Sequence, residues 1–444
     1  MITSLRQLLA STELASQLRQ LAAGAPAATP LSLTHELPAG DHDLLDLLPA
    51  AAPFWFSARP NAAEARLGIG HALQIASSGP HRFAALDQAF KGFCRDWRHQ
   101  GQALAFTGFA FADDGGGPLA NALLAIPAIL LSRHGRRCSV TFSTPAGHVG
   151  DAIERWQALL APAARHGLPA LKIAPDNPLT ASAWNARVQA ALRAIADDKL
   201  AKLVLSRSRR LEADGDIEAR PILAALLRQQ PDSLVYAHGH GRHCFIGATP
   251  ERLLELRAGR LETDALAGTA WPGSPALDSS KNRHEQSLVS RAIVAALAPL
   301  CRDTPAVSPP ELHGAGQLTH LRSRISGQTR PDTTLFDLLR ALHPTPAVGG
   351  YPTPAALDWL AAHGEQRNGW YSGGFGCLTA DGDGEIAVAL RSALIHGRTL
   401  DLQAGAGIVA GSDPATEFAE TDAKMATLLA ALRSEPACKN GTDG

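Results

Sequence analysis

The stretch Leu402–Lys424, with the sequence LQAGAGIVAGSDPATEFAETDAK, combines glycines on a predicted strand with the start of an acidic helix. Glycine has no Cβ, so a ligand can approach the backbone closely where these glycines stand. Ser412 or Asp413 is suited to cap the helix, and Pro414 fits its first turn, where a missing N–H costs nothing. The stretch therefore predicts a strand that leads through a short turn into a helix.

The predicted helix carries a strip of charged side chains. At about 100° per residue, Glu417, Glu420 and Lys424 lie close together beside its apolar face. A solvated charge ladder on the surface of the helix is one interpretation. Carboxylates that converge on a ligand are the other, and this stretch alone leaves both open.

Upstream, the segments EIAVALRSALI (residues 385–395) and TLDLQAGAGIV (residues 399–409) flank the turn HGR and predict a β-hairpin. Strand alternation places Arg391 on one face together with three alanines. An arginine among small residues indicates a cavity in which the guanidinium binds a carboxylate bidentately. The alternative is an exposed sheet edge, for which three alanines make a poor surface.

A second helix is predicted by KNRHEQSLVSRAIVAALAPL, Lys281–Leu300. Glu285 precedes Leu288 by three positions and Val289 by four, so it projects from the middle of the apolar stripe. A lone carboxylate that faces a core is costly, and it must be protonated, paired with a base or bound to a metal. A salt bridge to a neighbouring arginine is the plain alternative.

Two further residues give weak signals by themselves. Lys202 enters the apolar strand of KLVLSRSR, where it is either a desolvated base or an ordinary snorkelling lysine. Glu251 in GATPERLLEL is either a residue of the functional site or an ordinary turn residue. No Cys/His cluster in the sequence competes for a soft metal. The carboxylates, arginine, lysines and glycines together therefore indicate Mg²⁺ and a small polyanion that carries a carboxylate.

The composition excludes several classes of protein. The 444 residues contain 41 Lys and Arg against 42 Asp and Glu, which does not favour binding to nucleic acid or an anionic membrane. The six cysteines never form a C-x-x-C pair, which argues against a zinc site or a disulfide framework. The N-terminus lacks the apolar core of a signal peptide, and the apolar run at residues 119–131 is too short to span a bilayer. We expect a soluble, cytoplasmic protein without nucleic-acid or membrane partners.

The alternation of elements predicts the fold class. Hairpins beside long helices indicate an α+β fold rather than a parallel βαβ sheet. We expect an N-terminal α/β region at residues 1–175 that packs on the core, a catalytic domain at residues 176–435 and a disordered tail at residues 436–444.

Eight motifs, taken in order along the chain, carry a family resemblance. They are KLVLSR, GATPERLLEL, ETDALAGTAWPG, KNRHEQSLV, LLRALHPTPAVGGYP, NGWYSGGFG, VALRSALI and AGAGIVAGSDPATEFAETDAK. Over residues 178–433 the sequence resembles the chorismate-utilising enzymes, and LHPTPAVGGYP and TDALAGT look most like the isochorismate synthases of siderophore and salicylate pathways. The resemblance implies an anthranilate synthase component I-like fold, in which layered antiparallel β-sheets enclose the active site and helices pack outside.

The resemblance also implies a reaction. Water would add at C2 of chorismate and the C4 hydroxyl would leave, giving isochorismate with Mg²⁺ as cofactor. Lys202 would be the general base and Glu251 the general acid. The implied metal ligands are Glu285, Glu420 and Glu417, and the implied substrate-binding residues are Thr269, His343, Tyr371, Arg391, Gly405, Ala406, Gly407 and Lys424. An ordinary core histidine is the alternative for His343.

Other functions within the resemblance stay open. A salicylate synthase would use the same site and also eliminate pyruvate, and a non-catalytic subunit would bind chorismate without turnover. An aminodeoxychorismate synthase is disfavoured, because Ala267 stands where those enzymes carry a nucleophilic lysine. The sequence departs from the family pattern at two places, GTAWPG at residues 268–273 and Gln286 in HEQ, and these departures leave the reaction rate and the product open.

We expect a monomer that acts with a separate isochorismate pyruvate lyase.

Overall fold

The computed structural model describes residues 1–40, 42–161, 168–172, 178–270, 280–315 and 318–433. The expected tail at residues 436–444 lies outside this part of the chain.

Ten α-helices lie within the described ranges. They are α1 (Ile2–Leu9), α2 (Thr12–Ala22), α3 (Arg82–Asp96), α4 (Ala152–Leu159), α5 (Pro178–Ala196), α6 (Ala219–Gln229), α7 (Ser280–Leu297), α8 (Leu335–Leu342), α9 (Thr353–Ala362) and α10 (Pro414–Arg433). Asp413 caps α10, since its Oδ1 accepts a hydrogen bond from the Thr416 N–H at 2.8 Å. Of these ten helices, none combines the length and the apolar character needed to cross a membrane.

Twenty-one strands lie in the same ranges. They are β1 (Pro30–Leu37), β2 (Phe54–Arg59), β3 (Glu64–Ser77), β4 (Arg98–Gln100), β5 (Leu104–Phe109), β6 (Ala122–His134), β7 (Arg137–Pro145), β8 (Leu171–Lys172), β9 (Lys202–Ala213), β10 (Leu234–His240), β11 (His243–Thr249), β12 (Arg252–Arg257), β13 (Arg260–Ala270), β14 (Ala306–Val307), β15 (Glu311–Ala315), β16 (Leu318–Gln328), β17 (Gly350–Tyr351), β18 (Gly374–Thr379), β19 (Gly384–Val388), β20 (Ser392–His396) and β21 (Thr399–Ile408).

The strands form one hydrogen-bonded network that divides at β6 into two sheets. The first sheet runs β6–β3–β2–β10–β11–β20–β21–β9, with each pair antiparallel. The second sheet runs β6–β5–β18–β19–β12–β13–β16, also antiparallel throughout. Beyond β6, β7 and β1 continue the network, and β1 pairs with β4 in parallel. The expected α+β fold with antiparallel sheets is confirmed.

An aromatic layer fills the space between the two sheets. The rings of Trp55 on β2 and Phe106 on β5 stack 5.5 Å apart, and those of Tyr236 on β10 and Phe375 on β18 lie 5.0 Å apart. All four side chains are fully buried, and rings of this size contribute strongly to the stability of a core. Because each pair joins the two sheets, the sheets face each other across this layer.

Two further apolar clusters hold the helices on the outside. One packs α1, α2, α4, α6 and α10 against the first sheet. The other packs α3, α5, α7, α8 and α9 against the second sheet and against the ends of β9 and β21. Thus α7 and α10, which carry the predicted carboxylates, approach the same region from the two different outer layers.

The chain crosses between the sheets at two neighbouring points. It leaves β11 for β12 through Pro250 and Glu251, and it returns from β19 to β20 through residues 389–391. The Val388 N–H donates to the Glu251 carbonyl at 3.0 Å, and the Ala248 N–H donates to the Arg391 carbonyl at 3.2 Å. The two crossings therefore bring Glu251 and Arg391 together.

The predicted strand at residues 385–395 is wrong, because the chain bends there and enters a different sheet. Arg391 adopts a φ of 50°, in the left-handed region, which a continuous strand does not permit. The hairpin itself is confirmed in its second half, where β20 pairs with β21 across the turn at Gly397.

Strands from both ends of the chain pair with one another. In the first sheet β2 pairs with β10, and in the second sheet β5 pairs with β18. The N-terminal region thus contributes strands to both sheets. The division at residue 175 into two domains stays a prediction.

Candidate active site

One cavity brings together most of the predicted site residues. It lies where β9 and β21 of the first sheet approach β13 and β16 of the second. Its lining includes the predicted residues Lys202, Glu251, Glu285, Tyr371, Arg391, Gly405, Gly407, Glu420 and Lys424. These residues come from seven separate parts of the chain, so the cavity is a product of tertiary structure.

Lys202 and Glu285 form a buried ion pair in this cavity. Lys202 Nζ lies 2.8 Å from Glu285 Oε1, and the two residues are 1% and 8% exposed. The partner of the inward-facing carboxylate on α7 is therefore a lysine rather than a neighbouring arginine. A Cβ at Gly407 would lie only 2.7 Å from Glu285 Oε1, so the bare glycine makes room for the pair.

Lys424 and Glu420 form a second pair beside the first. Lys424 Nζ lies 2.6 Å from Glu420 Oε1, and it also donates to the Gly405 carbonyl at 2.7 Å. Gly405 and Gly407 lie two residues apart on β21 and both line the cavity. Both Lys–Glu pairs therefore lie against the glycine-rich strand, one at Gly407, supplied by α7 and β9, and the other at Gly405, supplied by α10.

Glu251 is protonated over the neutral pH range. Burial raises the pKa of its carboxyl group from 4.5 to about 8, and the charge of Asp264 raises it further. Lys202, Lys424 and Arg391 act in the opposite direction but do not offset the burial. A buried carboxyl group that keeps its proton can serve as a general acid.

Arg391 has an open hydrogen-bonding position in the cavity. Its Nη2 lies 3.2 Å from His320 Nε2, which must accept, because a guanidinium only donates. Burial and the charge of Arg391 lower the pKa of His320 well below 6.5, in agreement with a neutral ring. Arg391 Nη1 is buried and has no hydrogen-bond partner among the described residues, so an anionic ligand is the natural acceptor.

Four predicted residues do not contribute a described side chain to the cavity lining. His343 packs among Phe109 and other rings, its Nε2 lies 3.0 Å from the Phe111 carbonyl, and burial lowers its pKa to about 3. Ala406 points to the opposite face of β21 and joins the apolar core. Glu417 is buried, at 2% exposure, outside the lining. The Thr269 side chain lies outside the described part of the chain.

The cavity also contains three residues that the sequence analysis does not select. His320 on β16, Gln403 on β21 and Arg367 ahead of β18 all line it. Gln403 Oε1 accepts from the Asn368 N–H at 2.8 Å. Alternation along β21 places Gln403 on the same face as Gly405, which is the one signal that predicts it. His320 and Arg367 become visible only when the sheets are assembled.

Comparison with known proteins places the chain in a family. Residues 20–433 match the sequence profile of a family described as chorismate binding enzyme. The chain is a chorismate-binding enzyme.

Two curated relatives show how closely the family resembles this chain. A salicylate biosynthesis isochorismate synthase of Pseudomonas aeruginosa is 35% identical over 396 residues, or 82% of each chain. The isochorismate synthase MenF of Bacillus subtilis is 32% identical over 326 residues, which cover 70% of this chain and 69% of the relative.

Two solved structures share the fold of this chorismate-binding enzyme. MenF, the menaquinone-specific isochorismate synthase from Escherichia coli, aligns with a TM-score of 0.81 and 27% identity over 97% of this chain and all of the other. Anthranilate synthase component I from Streptococcus pneumoniae aligns with a TM-score of 0.67 and 18% identity over 83% of this chain and 92% of the other. At that identity the second match supports the fold alone.

The donors in the cavity of the chorismate-binding enzyme suit a hard divalent cation. Glu285 and Glu420 supply carboxylate oxygens, the ligand type that Mg²⁺ prefers. The described residues hold no group of three or more His, Cys, Asp or Glu side chains arranged to bind a metal. Mg²⁺ commonly takes one or two protein carboxylates together with water and substrate oxygens, so a pair of glutamates fits it.

Proposed function

We propose that this chorismate-binding enzyme is an isochorismate synthase, which converts chorismate to isochorismate. The observation that carries the proposal is the presence of a buried lysine, Lys202, and a protonated carboxyl group, Glu251, in one cavity with Arg391. The names of the relatives from Pseudomonas aeruginosa and Bacillus subtilis support the same activity.

The two catalytic residues would move one proton each. To act as the base, Lys202 would first lose to solvent the ammonium proton that it holds in the ion pair with Glu285. The neutral amine would then accept a proton from the water whose oxygen forms the new bond to C2 of the ring. Both ring double bonds shift, from C1=C2 to C1=C6 and from C5=C6 to C4=C5, and the C4–O bond breaks as Glu251 donates its proton to the departing hydroxyl group. One water enters and one leaves, so the product is an isomer of chorismate. General acid–base catalysis of this kind contributes roughly 10²–10⁴-fold to a rate.

Positive groups around the cavity would bind the carboxylates of the substrate. Arg391 Nη1 would donate to one carboxylate, because it has no other partner among the described residues. Lys424, which pairs with Glu420 and donates to the Gly405 carbonyl, would supply a second positive charge for these carboxylates. Tyr371 is buried at 4% exposure and forms part of the wall.

Mg²⁺ is the cation that this site would use. Glu285 and Glu420, which line the cavity, would hold it, whereas Glu417 lies outside the lining. When bound, the ion supplies positive charge that offsets the repulsion between these glutamates and the dianionic substrate.

Product analysis tests the proposed function. Purified protein is incubated with chorismate and Mg²⁺, and the products are separated by chromatography and examined for salicylate fluorescence. We expect isochorismate from the wild-type protein and none from Lys202→Ala. Salicylate without an added lyase would instead identify a salicylate synthase, and chorismate binding without turnover would identify a non-catalytic subunit.

The cellular setting is a further part of the proposal. The released isochorismate would pass to a separate isochorismate pyruvate lyase in salicylate or siderophore biosynthesis.

We infer a cytoplasmic monomer, and light scattering after size-exclusion chromatography would measure its mass in solution. A mass twice that of one chain would contradict the monomer.

A further inference from the structure

Arg367 is a buried cation that the proposed reaction does not use. Its side chain is 4% exposed, and it lines the active-site cavity. Its Nη1 donates to the Val348 carbonyl at 2.8 Å and to Ser372 Oγ at 2.6 Å. Its Nη2 donates to the Val204 carbonyl at 3.0 Å. One guanidinium therefore connects three separate segments of the chain, two through backbone carbonyls and one through the Ser372 hydroxyl.

Each of these segments forms a wall of the cavity. Val204 follows Lys202 by two residues on β9, so the two side chains lie on the same face and both line the cavity. Ser372 directly follows Tyr371, and its φ of 55° marks a turn held in an unusual conformation. Val348 lies in the loop between α8 and β17 and also lines the cavity.

Glu365 holds the guanidinium in this orientation. Its Oε1 accepts from Arg367 Nε at 3.1 Å and from the Ser206 N–H at 3.0 Å. Its Oε2 accepts from Arg187, which also donates to the Ser206 carbonyl at 2.8 Å. The negative charge of Glu365 thus compensates the positive charge of Arg367. Through the Ser206 N–H, Glu365 also forms a second hydrogen bond to β9, in addition to the one from Arg367 to the Val204 carbonyl.

A lysine could not replace this arginine. The Arg367 guanidinium lies 3.7 Å from the centre of the Phe111 ring, so the ring supports its flat face while its edges donate. The rigid, planar guanidinium can donate hydrogen bonds in three directions at once, whereas the ammonium group of a lysine is a point charge on a flexible chain. The arrangement therefore depends on the shape of the side chain as well as on its charge.

We propose that Arg367, held by Glu365, is a positioning residue that fixes Lys202 and Tyr371 relative to each other in the reaction. The inference rests on the proposed isochorismate synthase activity. Groups that transfer protons must be held closely to the productive geometry, and a misplacement of about 1 Å can cost about 10²-fold in rate.

The test compares Arg367→Lys with a matched control, Arg82→Lys. Arg82 is also buried, lies 4.7 Å from the centre of a phenylalanine ring and donates to the Phe111 carbonyl at 3.0 Å, but it does not line the cavity. We expect Arg367→Lys to lower kcat by about 10- to 100-fold with little change in KM for chorismate. Arg82→Lys should lower Tm by a similar amount and keep the wild-type kcat.

A second variant, Glu365→Gln, allows the test to be made even if Arg367→Lys does not fold. Glu365→Gln keeps the size and an acceptor oxygen while it removes the charge, and it should lower kcat by a smaller factor. Wild-type kcat in both variants, or a rise in KM at unchanged kcat, would overturn the inference. Equal losses of kcat in Arg367→Lys and Arg82→Lys would do the same, because the effect would then be one of stability.

A crystal structure of Arg367→Lys separates this inference from the proposed function. We expect Lys202 Nζ to move out of hydrogen-bond reach of Glu285, or the Tyr371–Ser372 turn to shift. Unchanged positions would overturn the positioning role, whatever the wild-type protein catalyses. Absence of isochorismate from the wild-type reaction would overturn only the proposed function.

Discussion

Lys202 Nζ lies 2.8 Å from Glu285 Oε1, in a cavity where neither residue is more than 8% exposed. The lysine begins β9 of the first sheet, and the glutamate comes from α7, which packs on the second sheet. The pair therefore joins the two halves of the site, and it places the proposed base against a proposed cation ligand.

Gly407 makes this pair possible, and Gly407→Ala should disrupt it. The new Cβ would lie 2.7 Å from Glu285 Oε1 and 3.0 Å from Lys202 Cε, so one of them must move. We expect kcat to fall at least about tenfold and the free energy of unfolding to fall by about 1–3 kcal/mol, as in overpacked sites. Steady-state kinetics and urea unfolding measure the two effects.

Gly92→Ala is the control for this prediction. Gly92 lies in α3, and a Cβ there would meet nothing within 4 Å. We expect unchanged kcat and a gain of up to about 1 kcal/mol in stability, because alanine favours helix. Wild-type kcat in Gly407→Ala would show that the site tolerates displacement of the Lys202–Glu285 pair.

The pKa of Glu251 predicts the alkaline limit of activity. Because burial raises that pKa to about 8, the fraction of enzyme with a protonated acid should fall about tenfold per pH unit above this value. Glu251→Gln cannot donate the proton, so we expect kcat to fall by about 10²–10⁴-fold and the alkaline limb near pH 8 to disappear. A wild-type rate that stays constant to pH 10 would contradict the assignment.

The same pKa predicts how stability depends on pH. The folded state binds the Glu251 proton more tightly than the unfolded state, whose pKa is near 4.5, so this contribution is complete below pH 4.5 and is lost as pH rises through about 8. Glu251→Gln removes the titration. Its stability relative to wild type should therefore rise from pH 5 to pH 9, measured by urea unfolding at each pH. A constant difference would contradict the raised pKa.

Arg391→Lys should weaken substrate binding. Lysine keeps the charge but loses the fork that would receive a carboxylate, and a hydrogen bond to a charged group is worth about 1.5–3 kcal/mol. We expect KM for chorismate to rise by roughly 10- to 100-fold, since about 1.4 kcal/mol corresponds to tenfold in affinity. Arg210→Lys is the control, because Arg210 is exposed and pairs with Asp401 away from the cavity. Equal KM values in all three proteins would exclude Arg391 as the carboxylate site.

Glu420→Gln should raise the Mg²⁺ requirement. The change removes one of the two cavity-lining carboxylates, Glu285 and Glu420, that are proposed to hold the cation. We expect a shift of at least about tenfold in the Mg²⁺ concentration for half-saturation, and a matching loss of Mg²⁺ affinity by calorimetry. Glu417→Gln should have a smaller effect, because Glu417 lies outside the cavity lining. An unchanged requirement in Glu420→Gln would exclude this glutamate as a ligand.

Local patterns in the sequence predicted the elements that carry the site. The apolar stripe of α7 placed Glu285 inward, and Asp413 caps α10 as expected. The hairpin from β20 to β21 also forms. Each of these features depends on residues only a few positions apart in the chain, so local sequence patterns are sufficient to predict it.

The sequence could not predict features that depend on distant strands. Alternation treated residues 385–395 as one strand, but Arg391 stands where the chain changes sheets. His320 and Arg367 enter the cavity through pairing of β16 and through contacts with β9, and neither has a local pattern that marks it as buried. His343 is the converse case, since it lies in a prominent motif but packs in an apolar core.

Oxygen exchange tests the central claim most directly. If Lys202 activates water for attack at C2 and Glu251 releases the C4 hydroxyl group, chorismate converted in ¹⁸O-labelled water should yield isochorismate with one ¹⁸O, located on C2. Mass spectrometry and NMR of the isolated product measure both the label and its position. Unlabelled isochorismate would contradict the account, because the hydroxyl group would then have moved without solvent water.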